Sequence, residues 1–186
     1  MAGKTITVGK SDVTNQKYSV GMAAINGGTV LNNGIIKVEN ESGIGMYATG
    51  SGSKAVNSNT GIIELSGKNS QGIYVTNGAV AENYGIIRTA PNNTKDGIIG
   101  INVTSNAIFK NYGQVIIDGG NNTGVLFSKT SKDESKLYEE ATTTPSIVAK
   151  GTITSNGGVA VDEKKHLPTE KTLGNIEIRT KPTYPE

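Results

Sequence analysis

The sequence predicts an all-β fold, a parallel β-helix (β-solenoid) of about six coils with roughly 24 residues each. A Gly-apolar-x-apolar element recurs along the chain and begins at Gly21, Gly45, Gly72, Gly100, Gly124 and Gly158. A Gly-x-Ile/Val element follows each of these, at Gly34, Gly61, Gly85, Gly113, Gly151 and Gly174. Turn residues separate the two elements, and helical patterning is almost absent. A period of this length is typical of solenoids.

The first element of each repeat predicts a strand with one buried face. The residues one and three places after its glycine, such as Ile73 and Val75, are apolar in all six units, whereas the residue between them varies. Because side chains alternate across a strand, the apolar pair should face the core. The intervening outward column contains Tyr47 and Tyr74 in successive coils.

The second element predicts another strand of the same kind. Residues two and four places after its glycine are mostly apolar, as at Ile63 and Leu65, and the residue between them, Glu64, is polar. A third, less regular strand is predicted around residues 28–30, 79–81 and 107–109. Its apolar residues do not alternate clearly, so the sequence leaves its inward set open.

An asparagine stands two places before the second glycine in four units, at Asn32, Asn59, Asn83 and Asn111. In stacked coils about 4.8 Å apart, side-chain amides at one repeated turn can form a continuous hydrogen-bonded ladder. We therefore predict a structural ladder of these four residues. We also expect the glycine that follows to occupy a corner with positive φ, which other residues resist.

Departures from the 24-residue period predict loops inserted into a single segment that spans residues 1–186. Three extra residues fall around 50–53 and four around 90–93, both in turn-forming sequence. About 14 extra residues separate Gly124 from Gly151, and we predict that residues 128–146 form a protruding loop. A solenoid accommodates such insertions without disturbing its stacked core.

Composition excludes several classes of function. The net charge of +2 and the intermixed basic and acidic residues argue against a nucleic-acid partner. No apolar run approaches the roughly 20 residues of a membrane span, so we expect no direct membrane insertion of this segment. The absence of cysteine excludes disulfides and thiolate metal sites. We predict no cofactor and no metal.

The clearest copy of the repeat resembles the passenger repeats of large type V (classical) autotransporter adhesins, the fusobacterial outer-membrane adhesins in particular. Residues 70–75, Ser-Gln-Gly-Ile-Tyr-Val, and residues 79–87, Ala-Val-Ala-Glu-Asn-Tyr-Gly-Ile-Ile, carry the resemblance. It extends from about residue 6 to residue 178. The motif is degenerate and shared by many passengers, so it indicates the class and not the member.

The resemblance implies a right-handed parallel β-helix that is exported to the bacterial cell surface and displayed at the outer membrane by a C-terminal translocator barrel. It implies adhesion, with a host-cell or bacterial surface protein or glycan as the partner. The family offers no fixed set of binding residues. Neither a signal peptide nor the barrel is found in this sequence, so we expect the chain to be one piece of a longer passenger.

Parallel β-helices also include polysaccharide lyases and hydrolases, but the sequence favours a protein that is not an enzyme. His166 is the only histidine and lies in a polar stretch. The carboxylates Glu64, Asp96 and Asp118 occupy different positions of the repeat, whereas a calcium cluster or glycosidase pair needs acids that converge on one face.

Binding residues are therefore predicted on outward columns and inserted loops. The ligand-binding candidates are Tyr47, Tyr74, Tyr84, Tyr112, Lys129 and Lys132. Stacked tyrosines offer rigid apolar faces and hydroxyls to a protein or a carbohydrate, but they also suit a purely structural role. The long insertion is likewise either functional or merely tolerated. Three functions stay open: an adhesin, which we prefer, an inert stalk, and a polysaccharide-acting enzyme.

Overall fold

The computed structural model describes residues 3–119, 121–127, 132–133, 152–156, 159–163 and 176–178. For the last four of these ranges it describes only the strands and their pairing. Every regular element in the described ranges is a β-strand. Within them, no helix is long and apolar enough to cross a membrane.

The described residues form eighteen strands. In chain order they are β1 (Thr5–Thr7), β2 (Val20–Ile25), β3 (Thr29–Asn32), β4 (Ile35–Val38), β5 (Ile44–Thr49), β6 (Lys54–Asn57), β7 (Ile62–Leu65), β8 (Gln71–Thr76), β9 (Val80–Asn83), β10 (Ile86–Thr89), β11 (Ile99–Val103), β12 (Ile108–Asn111), β13 (Gln114–Asp118), β14 (Thr123–Phe127), β15 (Lys132–Asp133), β16 (Thr152–Asn156), β17 (Val159–Glu163) and β18 (Ile176–Ile178). Each complete coil contributes three of them.

The strands stack into three parallel sheets. Sheet 1 has the order β1-β4-β7-β10-β13-β16-β18, sheet 2 the order β17-β14-β11-β8-β5-β2, and sheet 3 the order β15-β12-β9-β6-β3. Each strand pairs in parallel with the equivalent strand of the next coil. The fold is therefore a parallel β-solenoid of about five turns, close to the six coils that the sequence predicts.

The core lies between the three sheets and contains the predicted inward columns. Ile63 and Leu65 of sheet 1 and Ile73 and Val75 of sheet 2 are fully buried. The side chains of sheet 3 also alternate between inward and outward positions. The sequence left the inward residues of this sheet open, and in each strand the first of them is apolar. These residues are Val30, Ala55, Ala81 and Phe109.

An asparagine ladder follows that apolar residue on the inward side of sheet 3. The Nδ2 of Asn32 donates to Asn57 Oδ1, the Nδ2 of Asn57 to Asn83 Oδ1, and the Nδ2 of Asn83 to Asn111 Oδ1, each over 2.8 Å. At the first rung the backbone N–H of Gly34 donates to Asn32 Oδ1. All four asparagines are buried, so the amides satisfy one another along the solenoid axis.

The predicted membership of Asn59 in this ladder is wrong, because Asn57 takes the rung. Strand pairing places Asn57 between Asn32 and Asn83, whereas Asn59 is exposed. Two of the three extra residues in this coil lie between Asn57 and Gly61, and only one lies in the turn at residues 50–53. The two-residue insertion moves the glycine away from the ladder asparagine without moving the asparagine.

The second glycine of each repeat is required for a different reason from the one that the sequence suggested. Positive φ occurs instead in turns that follow sheets 1 and 2, for example at Asn69, Asn77 and Gly78, and not at Gly34, Gly61, Gly85 or Gly113. A Cβ added to Gly61 would lie only 2.6 Å from the carbonyl oxygen of Asn32. Close approach of neighbouring coils therefore excludes a side chain there.

The last predicted repeat is displaced by two residues. The pairing of β14 with β17 joins Val125 to Val161, so Ala160, and not Gly158, stands opposite Gly124. A shift of two residues keeps the inward and outward alternation of a strand, which is why the sequence pattern did not reveal it. The predicted loop at residues 128–146 lies outside the described residues except for β15, which pairs with β12.

The inward assignment predicts opposite results for two substitutions. Ile73→Asp should prevent stable folding, because it places an unpaired charge in a column where the side chain is fully buried. Lys37→Ala, on an outward position of sheet 1, should change the free energy of unfolding by less than about 0.5 kcal/mol. Thermal unfolding followed by circular dichroism measures both, and equal damage from the two would refute the assignment.

The ladder register predicts a contrast between two asparagines that lie two residues apart. Asn57→Ala should lower the free energy of unfolding by about 2–4 kcal/mol, because it leaves Asn32 Nδ2 and Asn83 Oδ1 buried without that partner. Asn59→Ala should cost under about 0.5 kcal/mol, because the side chain is exposed. Urea denaturation of both variants measures the difference, and the reverse order of stability would contradict the register.

Candidate functional site

Two pairs of tyrosines mark the outer surface of the solenoid. The in-register pairing of β5 with β8 places Tyr47 beside Tyr74, and their half-buried rings lie 5.5 Å apart with an interplanar angle of 49°. The rings of Tyr84 and Tyr112 lie in the turns between sheets 3 and 1, 5.0 Å apart at 16°. The structure thus brings together both pairs that the sequence predicts, the first tilted and the second stacked.

A cleft of about 360 Å³ opens on the outer face of sheet 2 beside the first pair. We call it the tyrosine–amide cleft. Its lining consists of Tyr18, Ser42, Ile44, Asn69, Gln71, Tyr74 and Asn102. None of these side chains carries a charge at neutral pH. The cleft combines two aromatic rings with three amides, and can therefore offer both stacking surfaces and hydrogen-bonding groups to a ligand.

One amide of this cleft, that of Asn102, is incompletely satisfied. The Nδ2 of Asn102 donates to Gln71 Oε1 over 3.0 Å, whereas Asn102 Oδ1 is enclosed and has no hydrogen-bond donor. An enclosed acceptor without a donor costs about 1–3 kcal/mol. Such groups are uncommon in folded proteins and often mark a place where a ligand or water completes the structure.

The loop at residues 9–19 supplies one wall of the cleft, Tyr18. The backbones of Asp12 and Lys17 bond each other in both directions across this loop. Its base is tied down by Ser11, which accepts from the backbone N–H of Ser19 and donates to the backbone oxygen of Ser42. Tyr18 is about half exposed and is thus positioned by hydrogen bonds in the loop rather than by burial.

A second cleft, of about 390 Å³, surrounds the other tyrosine pair. We call it the stacked-tyrosine cleft. It is lined by Asn59, Tyr84, Gly85, Ile86, Tyr112, Gly113 and Gln114. The insertion that removes Asn59 from the ladder therefore places its side chain at this cleft.

Tyr84 is linked to a pair of charged side chains beside this cleft. Its hydroxyl donates to Glu82 Oε2 over 3.3 Å, and Glu82 also forms a salt bridge of 2.9 Å with Lys54. Partial burial of the ring raises the pKa of Tyr84 above 10, and the nearby Glu82 carboxylate raises it further. The phenol is consequently neutral at physiological pH and acts as a donor.

Sequence reasoning missed Tyr18, Gln71 and Asn102. Tyr18 lies in a segment before the first repeat, where no column assigns a direction to its side chain. Asn102 does occupy the outward column of Tyr47 and Tyr74, and that shared position was the available signal. Of the two predicted lysines, Lys129 lies outside the described residues.

Lys132 begins β15, where its backbone pairs with Ile108. His166 also lies outside the described residues. Among the residues that the structure describes, no group of three or more His, Cys, Asp or Glu side chains could hold a metal ion. Glu64 is engaged by Arg88, whose guanidinium donates to it from both Nε and an Nη over 3.1 and 2.8 Å.

Part of the chain is similar to a known protein family. The family model of the BigA third pectate lyase-like domain matches residues 2–86, which include the first nine strands and the loop that carries Tyr18. The match covers less than half of the chain, and its description as a pectate lyase-like domain agrees with the parallel β-solenoid of the structure. No curated protein and no solved structure matches the chain.

The environment of Tyr84 predicts a specific titration. Glu82→Gln should lower the pKa of Tyr84 but leave it above 10, because partial burial of the ring, the larger cause, remains. Because the pKa of Tyr84 is higher in the folded than in the unfolded state, its neutral form stabilises the fold. The protein loses this contribution to the free energy of unfolding only as the pH rises past 10. The titration is followed by phenolate absorbance. Subtracting the curve of Tyr84→Phe from that of the natural protein isolates the contribution of Tyr84. An unchanged titration in Glu82→Gln would contradict the assigned contact.

Proposed function

We propose that this chain is a segment of a secreted autotransporter passenger of the large type V adhesin kind, related to the fusobacterial outer-membrane adhesins. In this proposal it is displayed at the bacterial outer membrane and attaches the cell to a surface protein or glycan of host cells or other bacteria. The parallel β-solenoid and the match of residues 2–86 to a pectate lyase-like domain support the scaffold role.

The outward tyrosine pair beside an uncharged cleft carries the proposal. Tyr47 and Tyr74 project from two hydrogen-bonded strands, and the cleft next to them contains one enclosed oxygen, Asn102 Oδ1, that has no hydrogen-bond donor. Aromatic side chains on a rigid support lose little entropy on binding and are common anchors of interfaces. A regular solenoid gives such an anchor a fixed direction on the cell surface.

We propose further that the segment is not an enzyme. Glu64, an acid that could in principle act on a polysaccharide, is bound by Arg88 from two nitrogens. Its Oε2 already accepts two charge-assisted hydrogen bonds and is not free to act on a substrate. Incubation of the protein with pectic and other polysaccharides should give no shortened products, and the appearance of such products would overturn this part of the proposal.

An inert stalk is the second candidate, and one observation favours it. The tyrosines of each pair contact each other, and Tyr84 is tied to Glu82, so the rings also contribute to the scaffold. An aromatic pair is worth about 0.5–1.5 kcal/mol beyond its buried area. Binding and stability therefore have to be measured on the same variants.

The adhesin proposal predicts that the purified protein binds a glycan or protein array of host-cell surfaces. Tyr47→Ala/Tyr74→Ala should lower this binding at least tenfold, and the loss of the ring contact should cost about 1 kcal/mol of stability. Tyr84→Ala/Tyr112→Ala, which removes the other tyrosine pair, is the matched control and should retain binding. Apparent affinity and the thermal midpoint are measured for each.

Three results would change the proposed function or the residues assigned to it. Absence of binding by this segment, while other parts of the parent protein bind, would favour the stalk. Loss of stability without loss of binding would make the Tyr47–Tyr74 pair part of the scaffold. Binding that survives both double variants and disappears when residues 129–144 are deleted would assign adhesion to that insertion.

A further inference from the structure

We propose that the tyrosine–amide cleft binds a neutral hexose unit of a glycan. This inference rests on the proposed adhesive function and specifies its ligand. It follows from the size of the cleft, the chemistry of its lining, the unpaired oxygen of Asn102 and the way the cleft is held in shape.

Size and shape favour a sugar over a protein surface. The cleft is about 360 Å³, at the small end of the roughly 300–1,000 Å³ range of ligand pockets. That volume suits one or two pyranose rings. A protein partner would instead need a contact of about 1,000 Å² or more, most of it outside the cleft.

The lining has the chemistry that a pyranose requires. The rings of Tyr18 and Tyr74 present flat apolar faces on which the C–H face of a sugar can pack. The amides of Asn69 and Gln71 each offer both donors and acceptors, as sugar hydroxyls do. The hydroxyl groups of a sugar can therefore replace their hydrogen bonds to water with hydrogen bonds to these amides.

The oxygen of the Asn102 side chain can accept a hydrogen bond from a ligand. Asn102 Oδ1 has no donor, and its Nδ2 is held by Gln71, a half-buried side chain. A hydroxyl of a sugar in the cleft, which Asn102 lines, can donate to this oxygen once the Asn102 side chain turns toward it. Binding then removes the free-energy cost of an unsatisfied buried acceptor.

The absence of charge in the lining selects neutral sugars. A sialic or uronic acid carries a carboxylate, whose desolvation requires a cation or several N–H donors. The seven lining residues include no lysine, arginine or histidine. The cleft should therefore discriminate against acidic sugars.

The cleft is also held in shape before a ligand arrives. Tyr74 and Asn102 lie side by side on the paired strands β8 and β11. Tyr18 is held by a loop whose base is hydrogen-bonded through Ser11 to the backbones of Ser19 and Ser42. A preformed wall lowers the entropy cost of binding a small ligand.

The test titrates the whole chain with the methyl glycosides of galactose, glucose and N-acetylglucosamine, and with glucuronic and N-acetylneuraminic acids. Saturation-transfer NMR detects weak binding. At least one neutral glycoside should bind at least tenfold more tightly than both acids. Tyr18→Ala should weaken this binding at least tenfold at little cost in stability, because the side chain is about half exposed.

Asn102→Leu separates binding from folding. Leu126 occupies the same outward column in the next coil, so a leucine fits the strand there. The variant removes the unpaired oxygen, so the thermal midpoint should stay the same or rise while binding of the neutral glycoside falls at least tenfold. Lys37→Ala, on the outward face of sheet 1, is the control and should bind as the natural protein does.

The inference is overturned if no neutral glycoside binds, if an acidic sugar binds equally well, or if Tyr18→Ala and Asn102→Leu bind normally. Its failure differs from failure of the adhesin proposal. A protein that attaches to host cells or to a protein array, with neutral glycosides neither binding nor competing, would refute the sugar cleft and leave adhesion standing. Absence of both attachment and sugar binding would refute both.

Discussion

The close approach of neighbouring coils at the repeated glycines is the constraint on which the rest of the structure depends. At Gly45, an added Cβ would lie 2.6 Å from the carbonyl oxygen of Gly72 in the next coil, and Gly61 faces Asn32 at the same distance. Such distances leave no room for a side chain. The glycines thus allow backbones to pair in parallel, and pairing sets the position of every inward and outward column.

The asparagine ladder depends on this register because its members can satisfy one another only along the solenoid axis. Asn57 and Asn83 are fully buried, and each both donates to and accepts from a neighbouring rung. A displaced coil would leave buried amides unpaired, which is far more costly than a loss of apolar contact at the surface. The ladder therefore opposes slippage of one coil past another, a role that an apolar column cannot fill as strictly.

The sequence predicted the fold class and the core because both depend on periodicity, and it was less informative wherever an insertion or a non-repeated segment decides the outcome. The spacing of two glycines reports the length of a coil but not where the extra residues lie, so Asn59 was mistaken for Asn57. The tyrosine pairs could be predicted because the members of each pair occupy the same position of the repeat. The cleft did not, because it combines Tyr18, from a loop before the repeats, with Gln71 and Asn102, whose roles appear only when the coils are stacked.

The central claim, that stacked coils are held in register by a buried amide ladder, can be tested without altering the protein. NMR measurement of hydrogen exchange at the asparagine side-chain NH₂ groups reports directly on their burial and bonding. The account predicts slow exchange at Asn57 and Asn83 and fast exchange at the exposed Asn59. Exchange at Asn57 as fast as at Asn59 would contradict the ladder and the register on which the outward surface depends.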